Sequence, residues 1–489
     1  MSQVPLTAPL IIVAGGAALV YLLARLLTQD SRVLAAVSAA TLALALGVLL
    51  PSLRDAWGGT IRAWPAQGAE ALLIAEPGGV LLCACSLSLG LAVVIYSGAY
   101  LALDRRPDRF YPLVLLLLSG TLGMALASNL FTLYLFIVLT SVSSYILVAF
   151  RRGTETAIEA GYKYAVTGSM ASIMALAGIA YLLRSTGSLS LPFAARDSDA
   201  WRLLGLSLFC ASLLIKGALF PAHIWLPDAH GRAPSSVSAL LSGIVAPLHL
   251  YLLLKLGLAL GAPSKTLGWL MVAIACGSML VGSLMSLRQT YGKRLLGYST
   301  VSQVGYATLA FGFGLLSREP QAIAAGLLLL VAHALLKGLA FLAKGVLHFY
   351  CDATQLDDLD GLWHRAPVAS GLFAVALIGL AGMPPLAGFA AKAGILWSLA
   401  RIDHPAAYLG AGVLVLTSLV SLGAYLPLVA RLLRPSPGNS EVVRPSLWMQ
   451  FPLALLALAA IAIGLWPTPV WGMALRAAQY LLAWGAHGG

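Results

Sequence analysis

Apolar stretches of about 20 residues recur from one end of this 489-residue chain to the other. A helix rises ~1.5 Å per residue, so each stretch is long enough to cross a hydrocarbon layer of about 30 Å. Lipid offers peptide groups no hydrogen-bond partner, which leaves helices and closed barrels as spanning structures, and runs of this length predict helices. The composition agrees. Of all residues 60% are apolar and 10% charged, against about 25% charged in soluble chains, which excludes a water-soluble enzyme. Thirty Lys and Arg against 18 Asp and Glu give a net charge of +12. That excess is scattered over short loops, so it reads as membrane topology and not as a nucleic-acid surface. Cys83, Cys85, Cys210, Cys276 and Cys351 lie mostly within apolar runs without metal-ligand spacing, and predict neither a disulfide framework nor a metal site.

The fold class is therefore an all-α polytopic membrane protein of about fourteen transmembrane helices. The spans fall at roughly 8–27, 32–52, 79–103, 111–128, 130–150, 160–184, 201–223, 235–260, 266–287, 294–316, 321–349, 367–400, 407–434 and 446–468. The first stretch lacks a basic leader and a small-residue cleavage site, and reads as a retained span. Lys and Arg are more frequent in the loops after odd-numbered spans, as in Arg105-Arg106, Arg109, Arg151-Arg152, Arg431 and Arg434. The positive-inside bias then puts both termini outside.

Two spans are interrupted in their middles, span 7 by Phe220-Pro221 and span 12 by Gly382-Met383-Pro384-Pro385. Proline removes a backbone donor and clashes with the preceding turn, which breaks a helix unless the freed groups face protein or water. The breaks are five spans apart, and an odd offset puts corresponding helices in opposite directions. Spans 4–8 and 9–13 are thus expected to form two inverted five-helix repeats around a midplane path. The domains are 1–105 (spans 1–3), 106–262 (first repeat), 263–434 (second repeat) and 435–489 (span 14 and tail).

Lysines inside apolar helices are the sharpest functional signal, since a charge at bilayer depth costs at least ~2.5 kcal/mol. Lys163 has an innocuous explanation, because Glu159 one turn before it makes a favourable i,i+4 pair. Lys216 lies one turn before the first break, where unwound carbonyls can reach its ammonium. A lysine that can give up and regain a proton there is a proton carrier. Span 11 carries His333, Lys337, Lys344 and His348 within a sector of roughly 60°, a polar stripe about 22 Å long. Ser299, Ser302, Gln303 and Tyr306 share one face of span 10 and could hydrate the same route, although such a set also serves as interhelical glue. Lys392 follows the second break as the counterpart of Lys216. No acidic residue occupies the centre of a span, and Asp228, in a stretch that also contains His223 and His230, lies at the end of span 7. There is no Walker loop, dinucleotide fingerprint or haem motif, so no cofactor is expected and no redox or hydrolytic site belongs to the chain itself.

The stretches Ile215-Lys216 through Phe220-Pro221 to Trp225-Leu226-Pro227-Asp228-Ala229-His230, Ala233-Pro234-Ser235 through Gly243, Lys293-Arg294 through Tyr306, and Gly382 to Lys392 are distinctive together. They resemble the antiporter-like subunits shared by respiratory complex I, Mrp-type Na⁺/H⁺ antiporters, membrane-bound hydrogenases and related inorganic-carbon transporters. The resemblance covers roughly residues 75–430. It implies that Lys216, His333, Lys337 and Lys392 are a proton relay; His223, Asp228, His230, His249, Lys344, His348, Ser302 and Gln303 are expected to support it. Two positions depart from the family pattern. Val138 stands where the family has the glutamate that pairs with the span 7 lysine, and Pro247 stands at the usual span 8 lysine, with His249 two residues later as a substitute. The segment from Pro467 reads as too short for the lateral helical arm of the family's longest members.

Three functions compete. The leading one is a proton-translocating subunit of a complex I-like assembly, moving H⁺ or exchanging it for Na⁺ while partner subunits in a prokaryotic cytoplasmic membrane do the redox chemistry. The others are a structural, non-pumping subunit of such an assembly, and a proton-coupled inorganic-carbon uptake subunit.

Overall fold

The computed structural model describes residues 5–65, 70–102, 104, 106–151, 155–191, 199–259, 264–435 and 441–486. Arg105 and Arg152, counted above toward orientation, lie outside them. Spans 1–6 are α1 (Ala8–Leu26), α2 (Ser31–Gly58), α3 (Pro77–Tyr100), α4 (Pro107–Leu126), α5 (Leu130–Val148) and α6 (Glu155–Thr186). Span 7 divides into α7 (Ala200–Lys216) and α8 (Trp225–Arg232). Span 8 is α9 (Ser235–Leu240), a π-helical turn at Leu241–Val245 and α10 (Ala246–Ala259). Spans 9–11 are α11 (Ser264–Leu287), α12 (Gly292–Ser317) and α13 (Pro320–Cys351). After the single turn α14 (Leu362–Arg365), span 12 divides into α15 (Pro367–Ala381) and α16 (Ala387–Ala400). Then come α17 (Pro405–Leu432), α18 (Leu447–Leu465) and α19 (Thr468–Ala486). Among the described residues, eleven helices are long and apolar enough to cross a membrane.

The helix starts follow local chemistry. Asp30, Asn129 and Asp199 accept bonds from the backbone N–H groups of Arg32, Phe131 and Arg202, satisfying donors that a first turn leaves orphaned. Proline, whose missing N–H costs nothing in the first turn, opens α3, α4, α13, α15 and α17.

The structure adds three features to the expected outline. In an otherwise helical chain, Arg62–Trp64 and Leu73–Ala75 pair as a small antiparallel hairpin between α2 and α3. The first break contains Phe220-Pro221, as expected, but is wider than that pair: α7 stops at Lys216 and helix resumes only at Trp225. The segment from Pro467, for which no element was expected, forms the 19-residue α19. Met473, Ala474, Ala477, Ala478 and Leu481 on one of its faces are buried, and it packs against α13, α3 and α10. Its amphipathic pattern with Arg476 and Gln479 escapes a search for uniformly apolar runs.

The centre of the molecule is α13 and the Ser235–Ala259 segment. The most apolar window of the latter is 100% buried and that of α13 94%, whereas α2, α6 and α17 bury 33%. Polar residues on these two central segments therefore face protein and not lipid.

Candidate proton path

At the first break the freed groups of α7 are taken up one by one. Gly217 N–H bonds to Leu213 O, Leu219 N–H to Leu214 O, and the Trp225 indole donates to Ile215 O at 2.9 Å. The Trp225 ring stacks on Tyr164 at 4.2 Å, tying the break to α6. Ala218 adopts φ +53, a left-handed conformation that costs a residue with a Cβ about 1–2 kcal/mol. The Lys216 ammonium, 5% exposed, donates to Ser141 Oγ of α5 at 2.9 Å and to Gly168 O of α6 at 3.1 Å. Val138 lies one helical turn before Ser141.

His249 of α10 is buried beside Gly217, where an added Cβ would lie 3.7 Å from its own, and within electrostatic reach of Lys216. Its Nδ1 faces Val245 O at 2.7 Å and its Nε2 has no partner. From the other side, His333 Nε2 of α13 faces Ser242 O at 3.0 Å. Both carbonyls belong to the π-helical turn. A π turn departs from the regular i→i−4 ladder, and its carbonyls are reached both by His249 of the same segment, four residues after Val245, and by His333 of α13. Pro247, two residues past that turn, is buried as well.

One turn along α13, the Lys337 ammonium is completely buried and donates to Leu296 O at 2.8 Å and Ser299 Oγ at 2.6 Å. The Tyr425 hydroxyl of α17 donates to the same Ser299 Oγ. At the second break, Gly382 ends α15 with φ +89, and a Cβ there would lie 2.8 Å from Lys392 Cδ. Glycine thus both makes the turn and leaves room for the lysine. Lys392 Nζ donates to Leu380 O (3.2 Å), Ala381 O (3.1 Å) and Ser418 Oγ (3.2 Å), and sits 4.6 Å from the Tyr306 ring centroid. Gln303 donates to the same Leu380 O at 2.8 Å, linking α12 to the break.

The remaining predicted residues have other surroundings. His230 is completely buried against Phe341, its ring nitrogens without partners, and within electrostatic reach of Lys337, Lys293 and His333. Lys344 donates to Ala353 O, and His348 is half-buried at the end of the α13 stripe. Asp228 pairs with Arg294 at 3.3 Å beside a cavity of about 480 Å³ that Lys163, Arg232 and Tyr291 also line. His223 is buried beside Phe220 and Tyr298, and Ser302 is buried on α12. Lys163 takes the innocuous role, exposed and paired with Glu159 at 2.7 Å.

Among the described residues, no carboxylate lies within ion-pair distance of Lys216, Lys337 or Lys392. Carbonyl and hydroxyl oxygens alone satisfy them. Sequence reasoning missed two further buried lysines. Lys293 donates to Ala233 O at 3.0 Å, and Lys255 pairs with Glu76 at 3.1 Å. Each stands close to a predicted span boundary, where a charge ordinarily reaches water. The usable signal was the two consecutive glycines after Glu76-Pro77, which announce close backbone approach.

This is the architecture of a polytopic helical transporter-type membrane protein with lysines at two helix breaks. The chain belongs to the family described as NADH:quinone oxidoreductase/Mrp antiporter, TM, which matches residues 127–419. It is 32% identical over 461 residues to NADH-quinone oxidoreductase subunit N of Desulforudis audaxviator, covering 88% of each chain. It is 31% identical over 421 residues to F(420)H(2) dehydrogenase subunit N of Methanosarcina mazei, covering 81% of this chain and 82% of the relative. A chain in the Mrp complex of Dietzia sp. DQ12-45-1b shares the fold at TM-score 0.90 and 22% identity over the full length of both. A chain of Thermus thermophilus respiratory complex I matches at TM-score 0.77 and 28% identity, over 95% of this chain and 98% of that one.

Proposed function

We infer that this chain is the proton-translocating, antiporter-like subunit of a complex I-like assembly, carrying H⁺ by way of Lys216, His249, His333, Lys337 and Lys392. The observation that carries this reading is the set of buried ammonium groups without carboxylates, each bonded only to carbonyl or hydroxyl oxygens. Burying a charge this way is expensive, and intramembrane ionisable groups are kept where they line an ion path. Lys216 and Lys392 each stand at a helix break, five spans apart in chain order. That placement supports inverted repeats over 106–262 and 263–434, flanked by 1–105 and 435–489, in a fourteen-span core. Redox chemistry belongs to partner subunits in a prokaryotic cytoplasmic membrane, with both termini outside.

One observation favours the structural alternative: Val138 supplies no counter-charge to Lys216, whose polar contacts are Ser141 and Gly168. The two readings separate in vesicles containing the assembled complex. Lys216→Ala and Lys337→Ala should each lose H⁺ flux with assembly intact, and repeating the assay with and without Na⁺ identifies any exchange. Unaltered flux in both variants would leave the structural role.

A further inference from the structure

Glu76 occupies the N-cap position of α3, yet its side chain makes no capping bond. It turns into the protein. One oxygen accepts from the Tyr251 hydroxyl and pairs with Lys255 Nζ at 3.1 Å, while Oε2 is buried without a partner. Lys255 also donates to Ala127 O at 2.9 Å. Neither side chain is more than 5% exposed, and among the described residues this is the one ion pair with both partners so enclosed. The enclosure is built. A Cβ at Gly78 would lie 2.8 Å from the Tyr251 hydroxyl and one at Gly79 would meet Ala125 O, so the two glycines let α3 close on α10 and α4. From α19 the Trp484 ring lies 5.7 Å from Lys255 Nζ, and Tyr480 and Cys83 complete the surroundings. The site lies near the β-hairpin, and His249 stands six residues earlier on the same helix, about 9 Å along its axis.

We propose that Glu76 and Lys255 are a proton-exchange pair through which protons pass between His249 and the water on the hairpin side, beneath the cover of α19. This rests on the proton-translocating reading above. The step conserves charge. The Lys255 ammonium hands its proton to the Glu76 carboxylate, leaving a neutral amine and a neutral carboxyl. The carboxyl releases the proton to water on the hairpin side, and the amine takes the next one from His249, restoring the pair. A purely structural ion pair would hold α3 to α10 with both carboxylate oxygens bonded, whereas the unpartnered Oε2 gives Glu76 a second position for a proton.

The test is H⁺ flux through vesicles containing the assembled complex, driven by a K⁺ diffusion potential and read with a trapped pH dye. Glu76→Gln, which keeps the shape and the Tyr251 contact, should lower flux about tenfold or more, and Glu76→Asp should retain part of it. Should Glu76→Gln disturb folding, the neutral pair Glu76→Gln with Lys255→Met removes the unpaired charge and should also be silent. Full flux in Glu76→Gln or in the double variant, alongside a silent Lys337→Ala, overturns this inference and leaves the proposed function standing. Full flux in Lys337→Ala as well removes both.

Discussion

Replacing Lys337 with methionine should stabilise the protein while silencing it. The ammonium is fully buried without a carboxylate, and the effective dehydration penalty of such an ion is several kcal/mol. Its two hydrogen bonds, to Leu296 O and Ser299 Oγ, return about 1.5–3 kcal/mol each, as bonds from a charged donor do. The two contributions nearly cancel, so the lysine adds little to stability, whereas a buried methionine in its place adds the favourable transfer of an apolar side chain. Methionine keeps most of the packing of the stem, escapes the dehydration and orphans little: Leu296 O still accepts from the Thr300 hydroxyl at 3.0 Å, and Ser299 Oγ from Tyr425. The expected gain is about 1–3 kcal/mol, the sign seen when buried ions give way to apolar residues of like volume. Thermal unfolding of the purified complex in detergent, with flux measured after its reconstitution into vesicles, reads both quantities. A lysine kept for structure gives the opposite result, and a Lys337→Met protein that melts earlier than the wild type would refute the reasoning.

Three further substitutions probe separate features. Gly382→Ala places a Cβ at φ +89 and against Lys392 Cδ; it should cost about 1–2 kcal/mol in backbone strain alone and lower flux by displacing Lys392, and a variant with unchanged melting and flux would show that the glycine is incidental. Val138→Glu lies one turn from the Ser141 that holds Lys216 and should change flux by supplying the missing counter-charge, so identical flux in both proteins counts against a live path at Lys216. Asn129→Ala removes the cap bonds to the N–H groups of Phe131 and Thr132; about 1 kcal/mol of stability should be lost without any effect on flux.

What the sequence made legible divides along physical lines. Spans announce themselves by length and uniform hydropathy, and broken spans by proline and glycine, because both signals are local. The α13 stripe was visible because His333 and Lys337 lie one turn apart in a run that is otherwise apolar. Glu76 and Lys255 were not, since both sit near predicted span ends and only the packing of α3 on α10 removes them from water. The π-helical turn at Leu241–Val245 has no sequence signature of its own, yet its carbonyls are the ones that His249 and His333 face. The α19 helix was missed because an amphipathic segment cannot be told from a polar tail until the surface it covers is known.

The central claim is that Lys216 and Lys392 belong to one continuous path and not to two independent ones. The measurement that tests it is H⁺ flux in vesicles for Lys216→Ala, Lys392→Ala and the double variant, with assembly verified in each. A single path in series predicts that either substitution alone reduces flux to the background of empty vesicles and that the double variant adds nothing. Singles that each keep a substantial share of the flux, with only the double variant silent, would contradict it.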